Sequence, residues 1–142
     1  KDMINLKNFF LEQKYYNVSF LRCISSYPTN NEDINLESFN QFKKIFKDFN
    51  IGYSDHTNHD LAILGVVALG AKIIEKHIAL DFNVKNAQDW KVSFDKYQLK
   101  NMVQKIRKFE IILGAVFGSN QCYGDSPWPK AGLRTNFANQ TR

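Results

Sequence analysis

Residues 51–79 read IGYSDHTNHDLAILGVVALGAKIIEKHIA. Residues 51–54 are a short strand candidate. The polar run that follows offers Asn58 or Asp60 as the cap of a helix over 60–69. Gly70 sits just past that helix, where a residue free to adopt positive φ is favoured. Residues 72–79, KIIEKHIA, read as a further strand. Strand, helix and strand in this order make a βαβ unit, which implies parallel strands and a right-handed crossover.

The same alternation extends in both directions. Residues 2–16 carry Met3, Leu6, Phe9, Phe10 and Gln13 at helical spacing, with Asn17 able to end the helix. Residues 18–24, VSFLRCI, have the length and β-branched content of a strand. Residues 25–33, SSYPTNNED, are a loop punctuated by Pro28 and two asparagines. Residues 35–48 open a second helix, with Leu36, Phe39, Phe42, Ile45, Phe46 and Phe49 on one stripe. Beyond the third strand, 81–93 is a polar loop. Phe94 or Asp95 then opens the longest helix, carrying Leu99, Met102, Val103, Ile106, Phe109, Ile112 and Leu113, and Gly114 ends it.

The predicted order is α-β-α-β-α-β-α. Three strands are few for a doubly wound sheet, and a (β/α)8 barrel needs eight strands and about 250 residues. The chain also starts inside a helix. The expected fold class is therefore α/β, a fragment of a (β/α)8 TIM barrel with three parallel strands alternating with helices. Residues 1–114 are expected to be C-terminal βα units. Residues 115–142, rich in Gly, Asn and Ser and without a period, are an unassigned tail.

Composition narrows the class. Of 142 residues, 44% are hydrophobic and 23% charged, which excludes a disordered chain and a disulfide scaffold. No apolar run reaches the about 18 residues of a membrane span, and residues 1–11 hold no continuous apolar signal core. The net charge of +5 is the balance of 19 Lys and Arg against 14 Asp and Glu, and the basic residues are spread along the chain. That spread points to a solvated surface suited to an anionic small substrate rather than to nucleic acid. Cys23 and Cys122 lack metal-site spacing, so a cytoplasmic chain with free thiols is expected, with Cys23 packed inside.

Strand side chains alternate between faces. On residues 72–79, Ile73, Glu75 and His77 share one face, and Ile74, Lys76 and Ile78 the other. On residues 51–57, Gly52, Ser54 and His56 share a face; on the first strand Leu21, Cys23 and Ser25 do. The polar members cluster at the C-terminal ends, where parallel sheets and barrels bind ligands. His56 and His77 stand at corresponding heights on strands about 4.8 Å apart, so both imidazoles could reach one metal ion. Two structural histidines at strand ends are the alternative. Two histidines leave a coordination shell open, so a carboxylate, water or substrate must complete it. Glu75 is the nearby carboxylate, unless it pairs with Lys72 or Lys76. His59 reads as a cap-region side chain. Ser54 with Asp55, His56 and Thr57 offers an anion cradle before a helix, or an ordinary cap. Tyr27-Pro28-Thr29 reads as a turn, and Asp89 as a loop residue.

CISSYPTNNEDINL, IGYSDHT and VVALGAKIIEKHIALD resemble the C-terminal barrel segments of the sialic acid synthases, the N-acetylneuraminate, legionaminate and pseudaminate synthases. The resemblance spans about residues 1–113. It implies a (β/α)8 barrel transferase that condenses phosphoenolpyruvate with an N-acylated amino sugar, such as N-acetylmannosamine. The product is a nonulosonic acid, and phosphate is released. It implies a divalent metal, manganese first and magnesium or cobalt otherwise, on His56 and His77. By position, Ser54 looks like a phosphate or carboxylate contact, and Ser25 and Tyr27 like substrate contacts. Glu75 is similar to the family's acidic residue beside the metal and is the candidate catalytic acid–base group. Asp89 looks like the sugar-contacting aspartate.

The loop that carries Asp89 departs from the family's G-P-D-x-x-x-S: Asn86-Ala87-Gln88 stand where Gly-Pro is usual. Two further family parts are absent from these residues, the first five strands with their phosphoenolpyruvate-binding lysine and the antifreeze-like domain. The fragment alone is therefore expected to be inactive, and the full-length enzyme a cytoplasmic homodimer. A non-catalytic barrel fragment kept as a binding unit, and an unrelated metal-dependent aldolase-type barrel, are the competing classes.

Overall fold

The computed structural model describes residues 1–82 and 89–114. The order is α1 (Asp2–Glu12), β1 (Ser19–Cys23), α2 (Asn31–Ile34), α3 (Leu36–Ile45), β2 (Asn50–Asp55), α4 (Leu61–Ala68), β3 (Ile73–Lys76), a 3-10 turn (Trp90–Val92) and α5 (Lys96–Ile112). The strands form one parallel sheet in the order β1-β2-β3. Among the described residues, no helix is long and apolar enough to cross a membrane.

Local chemistry explains most boundaries. Asp95 caps α5: its carboxylate accepts from the Tyr97 and Gln98 amides, and the Gln98 side chain accepts from the Asp95 amide, closing a capping box. Asn35 caps α3 from a left-handed backbone, its side chain accepting from the Ser38 amide at 3.1 Å. Gly70 ends α4 at φ 95°, a conformation that costs a residue with Cβ. Lys43 donates from Nζ to the Leu69 carbonyl at the same helix end.

Several boundaries differ from the expected ones: the third strand ends at Lys76 rather than Ala79, α3 ends at Ile45 rather than Asp48, and a 3-10 turn falls inside the expected polar loop. Helix α1 stops at Glu12 rather than running to Tyr16. Lys14 takes φ 57°, and the Tyr15 and Lys14 amides donate back to the Phe10 and Leu11 carbonyls. This is a Schellman ending built without glycine, and the residue type carries no signal for it. The loop over 25–33 also holds the start of the short helix α2. The expected tail over 115–142 and the Asn86-Ala87-Gln88 departure lie outside the described residues.

The helices cover one face of the sheet. Phe39, Phe46, Ile51, Tyr53 and Val66 form one buried cluster, and Ile63, Val67, Phe94, Met102 and Ile106 a second, with Ile74 touching both. Phe20 is the aromatic hub: it stacks on Phe46 at 4.3 Å and meets Phe10 and Phe49 edge-on. Such pairs add about 0.5–1.5 kcal/mol each beyond their burial.

The opposite face of the sheet is open and carries Leu21, Cys23, Gly52, Ser54, Ile73 and Glu75. Gly52 is there because β3 approaches too closely for a side chain. A Cβ would stand 2.5 Å from the Ile73 carbonyl oxygen and 2.8 Å from its Cβ. Gly52→Ala should cost about 1–3 kcal/mol, read as a lower denaturant midpoint with an unchanged slope. An unchanged midpoint would contradict this close approach.

Tyr53 gives a second test. Burial first, then the Asp55 carboxylate, pushes its phenol up to about 12. In the unfolded chain the phenol ionises near 10. Its contribution to stability is therefore complete below pH 10 and lost as pH rises from 10 through 12. Tyr53→Phe should flatten the fall in thermal midpoint across that window. An unaltered slope would show that Tyr53 does not carry it.

Candidate functional site

The register sets the site. Cys23 lies opposite Ser54, Ser54 opposite Glu75, and Asp55 opposite Lys76. Ser54 and Glu75 point to the open face, where the Ser54 hydroxyl donates to Glu75 Oε1 at 2.6 Å. One step further along, His56 and His77 bring their ring centroids to 5.1 Å. Tyr27, carried over from the β1 loop, lays its ring 4.1 Å from His56 and 6.0 Å from His77. Three of the expected residues thus converge directly above the Ser54–Glu75 pair.

His56 is held at several points. Its Nδ1 lies 2.9 Å from the Ile24 carbonyl oxygen, so Nδ1–H donates and Nε2 keeps its lone pair. Its own carbonyl accepts from the Thr29 amide. The histidine is 3% exposed. His77 is half-buried, and its carbonyl accepts from the Phe94 amide. Asp89 Oδ2 lies 3.9 Å from His77 Nδ1, a charge neighbour rather than a hydrogen-bond partner. Ser25 is exposed, two residues past the end of β1. Partial desolvation of Tyr27, followed by the nearby Cys23, Asp89 and Glu75, raises its phenol above the ordinary value.

A bare Nε2 backed by a carbonyl at Nδ1 is the arrangement that presents an imidazole to a metal ion. Among the described residues no three His, Cys, Asp or Glu side chains stand together as a complete ligand group. Glu75 therefore does not complete the histidine pair, and any ion here would take its remaining ligands from water and substrate. The donor set fits a divalent metal on those terms.

Several expectations are corrected by the sheet's alternation. Cys23 is exposed on the open face, not packed inside, with Sγ 3.8 Å from His56 Nδ1. Glu75 does not pair with Lys72 or Lys76, because Lys76 points to the helix-covered face and bonds Asp55. The four-residue cradle splits: Ser54 and His56 face the site, while Asp55 and Thr57 turn away. Nor does that run cap α4, whose N-cap position is Asp60. His59 behaves as the cap-region residue expected: the Leu61 amide donates to its Nδ1 at 3.3 Å, and its Nε2 lies 2.7 Å from Asn31 Oδ1.

The sequence reading missed the buried network behind the site. Lys76 Nζ donates to Asp55 Oδ2 at 2.7 Å and to the Thr57 carbonyl, and sits 4.4 Å from the centre of the Phe94 ring. The Thr57 hydroxyl lies within 3.1 Å of both Asp55 oxygens and 2.7 Å from the His59 carbonyl. A signal was present: Lys76 alternates with Ile74, so its charge had to find a partner on the apolar side.

His56 and His59 should hold opposite tautomers. Long-range proton–nitrogen correlation spectra are expected to show Nδ1–H for His56 and Nε2–H for His59. The same tautomer on both would contradict the hydrogen bonds described.

Comparison with known proteins adds the family. A model described as the NeuB family matches residues 2–117. The human N-acetylneuraminate-9-phosphate synthase is 39% identical over 99 residues, 70% of this chain and 27% of the relative. The Campylobacter jejuni pseudaminic acid synthase is 39% identical over 114 residues, 80% of this chain and 33% of the relative. The crystal structure of a Leptospira borgpetersenii N-acetylneuraminic acid synthetase superimposes with a TM-score of 0.68 at 32% identity, covering 84% of this chain and 40% of that one. The chain thus spans about a third or less of the length of these curated relatives.

Proposed function

The chain belongs to the NeuB family, and on that premise we propose that it forms the C-terminal βα units of a sialic acid synthase-type barrel. The reaction is condensation of phosphoenolpyruvate with an N-acylated amino-sugar aldehyde of the N-acetylmannosamine type. It yields a nonulosonic acid and phosphate. The observation that carries this reading is the convergence of His56, His77 and Tyr27 over the Ser54–Glu75 hydrogen bond on one open sheet face. The remaining barrel is supported by what stands uncovered: β1 and β3 are both edge strands, and Met3, Leu6 and Phe9 of α1 are exposed.

His56 and His77 would hold a divalent metal, manganese first and magnesium or cobalt otherwise. When bound, such an ion supplies Lewis acidity towards a carbonyl oxygen. C3 of phosphoenolpyruvate attacks the aldehyde carbon, whose oxygen takes up a proton to become a hydroxyl. Water adds at C2 with loss of a proton, and the C2–O bond then breaks as the new C2 hydroxyl gives its proton to the departing phosphate. Glu75 serves as the acid–base group for the proton lost by that water. Ser54 has one hydroxyl proton, and it is given to Glu75. If that proton turns to a phosphate or carboxylate oxygen of the substrate, Glu75 is released. Anion binding and the freeing of the base are then one event. Tyr27 and Ser25 border the sugar from the β1 side, and Asp89 borders it from the His77 side. The enzyme acts in the cytoplasm.

The test is turnover and metal content of the complete barrel, with this chain alone as a control. The chain alone should not turn over. His56→Ala and His77→Ala should each remove activity and bound metal, and the double variant should be no worse than either single one, since each breaks the same site. His59→Ala, outside the site, should stay near the unsubstituted rate. Near-normal rates with stoichiometric metal in both single variants would overturn the histidine-pair assignment.

A further inference from the structure

Behind the two histidines lies a buried ion pair that the proposed chemistry does not use. Asp55 and Lys76 have side chains 0% and 2% exposed. Each is the chain neighbour of one histidine: Asp55 precedes His56, and Lys76 precedes His77. The pair lies on the helix-covered face, so neither group reaches the substrate side of the sheet.

Stability does not explain its presence. Removing two charges from water costs several kcal/mol per ion, and a well-packed apolar pair in their place is often as stable or more so. What the pair supplies is direction. The Lys76 ammonium is bound on three sides at once: by the Asp55 carboxylate, by the Thr57 carbonyl and by the face of Phe94. Asp55 and Thr57 flank His56 at the end of β2, so one cation holds a side-chain carboxylate on one side of that histidine and a backbone carbonyl on the other. Phe94 belongs to the segment that returns beside β3, where its amide donates to the His77 carbonyl at 2.9 Å. The ammonium therefore ties together the end of β2, the end of β3 and the returning segment, all at the level of the two rings. An apolar pair would fill the same volume without imposing any of these directions.

We propose that Asp55 and Lys76 are positioning residues that set the separation and orientation of the His56 and His77 rings from behind the sheet. The part of this that concerns a metal rests on the histidine-pair reading given above; the part that concerns the rings does not. Asp55→Leu/Lys76→Met removes both charges without leaving either one buried alone.

Two quantities are measured in the complete barrel: manganese affinity by titration with the metal alone, and the metal-free nitrogen spectrum of the histidines. The double variant should unfold cooperatively, yet bind manganese about 10- to 100-fold more weakly, the usual loss when an outer partner of a ligand is removed. His56 should lose its single Nδ1–H signal and average between forms, while His59 keeps its own. Asp55→Asn, which keeps the shape and one acceptor, reads the same two quantities should the double variant fail to fold, with a smaller loss expected.

Unchanged manganese affinity and an unchanged His56 signal in a folded variant would overturn the proposal. If the unsubstituted barrel binds no manganese, the histidine-pair reading fails. The metal-free spectrum then decides the positioning role by itself: a disturbed His56 signal supports it, and an undisturbed one overturns it.

Discussion

The parallel pairing of β2 with β3, Ser54 against Glu75 and Asp55 against Lys76, is the constraint on which the rest of the molecule depends. Side chains alternate along a strand, so this one register decides two environments together. Ser54 and Glu75 go to the open face, and the histidines one step beyond follow them. Asp55 and Lys76 go to the face packed by helices, where a lone charge would be untenable and a pair is tolerated. A slip of one residue would bury Glu75 and His77 and expose Ile74.

The packing behind the sheet enforces that register. Ile74 touches both core clusters, and Tyr53 is nearly inaccessible among Phe39, Phe46 and Val66. Gly52 lets the two strands close at their lower end, and the Lys76 cage closes them at the upper end. The β1 side is built differently. There Phe20 anchors the strand in an aromatic cluster, and the 25–29 turn swings Tyr27 over the open face. Two hydrogen bonds then fasten the turn: the Thr29 amide donates to the His56 carbonyl, and the Thr29 hydroxyl donates to the Ser26 carbonyl.

Family membership and geometry bear on function at different levels. Membership places the chain among sialic acid synthase-type relatives, of which it spans about a third or less. The geometry shows which of its polar groups share a face and which are already engaged. That Ser54 is bonded to Glu75, rather than standing free, changes what substrate arrival must do in the proposed reaction.

Local pattern alone determined a great deal here. The βαβ order, the parallel sheet, the Asp95 start of α5 and the Gly70 stop of α4 all follow from periodicity and capping chemistry, which act over a few residues. The shared face of Ser54, His56, Glu75 and His77 follows as well, because strand alternation is a property of the backbone. Only the tertiary structure decided the partners. Glu75 had lysines beside it in sequence, yet bonds Ser54, because chain neighbours on a strand face opposite ways. Cys23 read as a core residue, yet is exposed, because the face it shares is the open one. Tyr27 lies 29 residues from His56 along the chain, and no local rule places its ring there; a turn tied to His56 by the long-range bond from the Thr29 amide does.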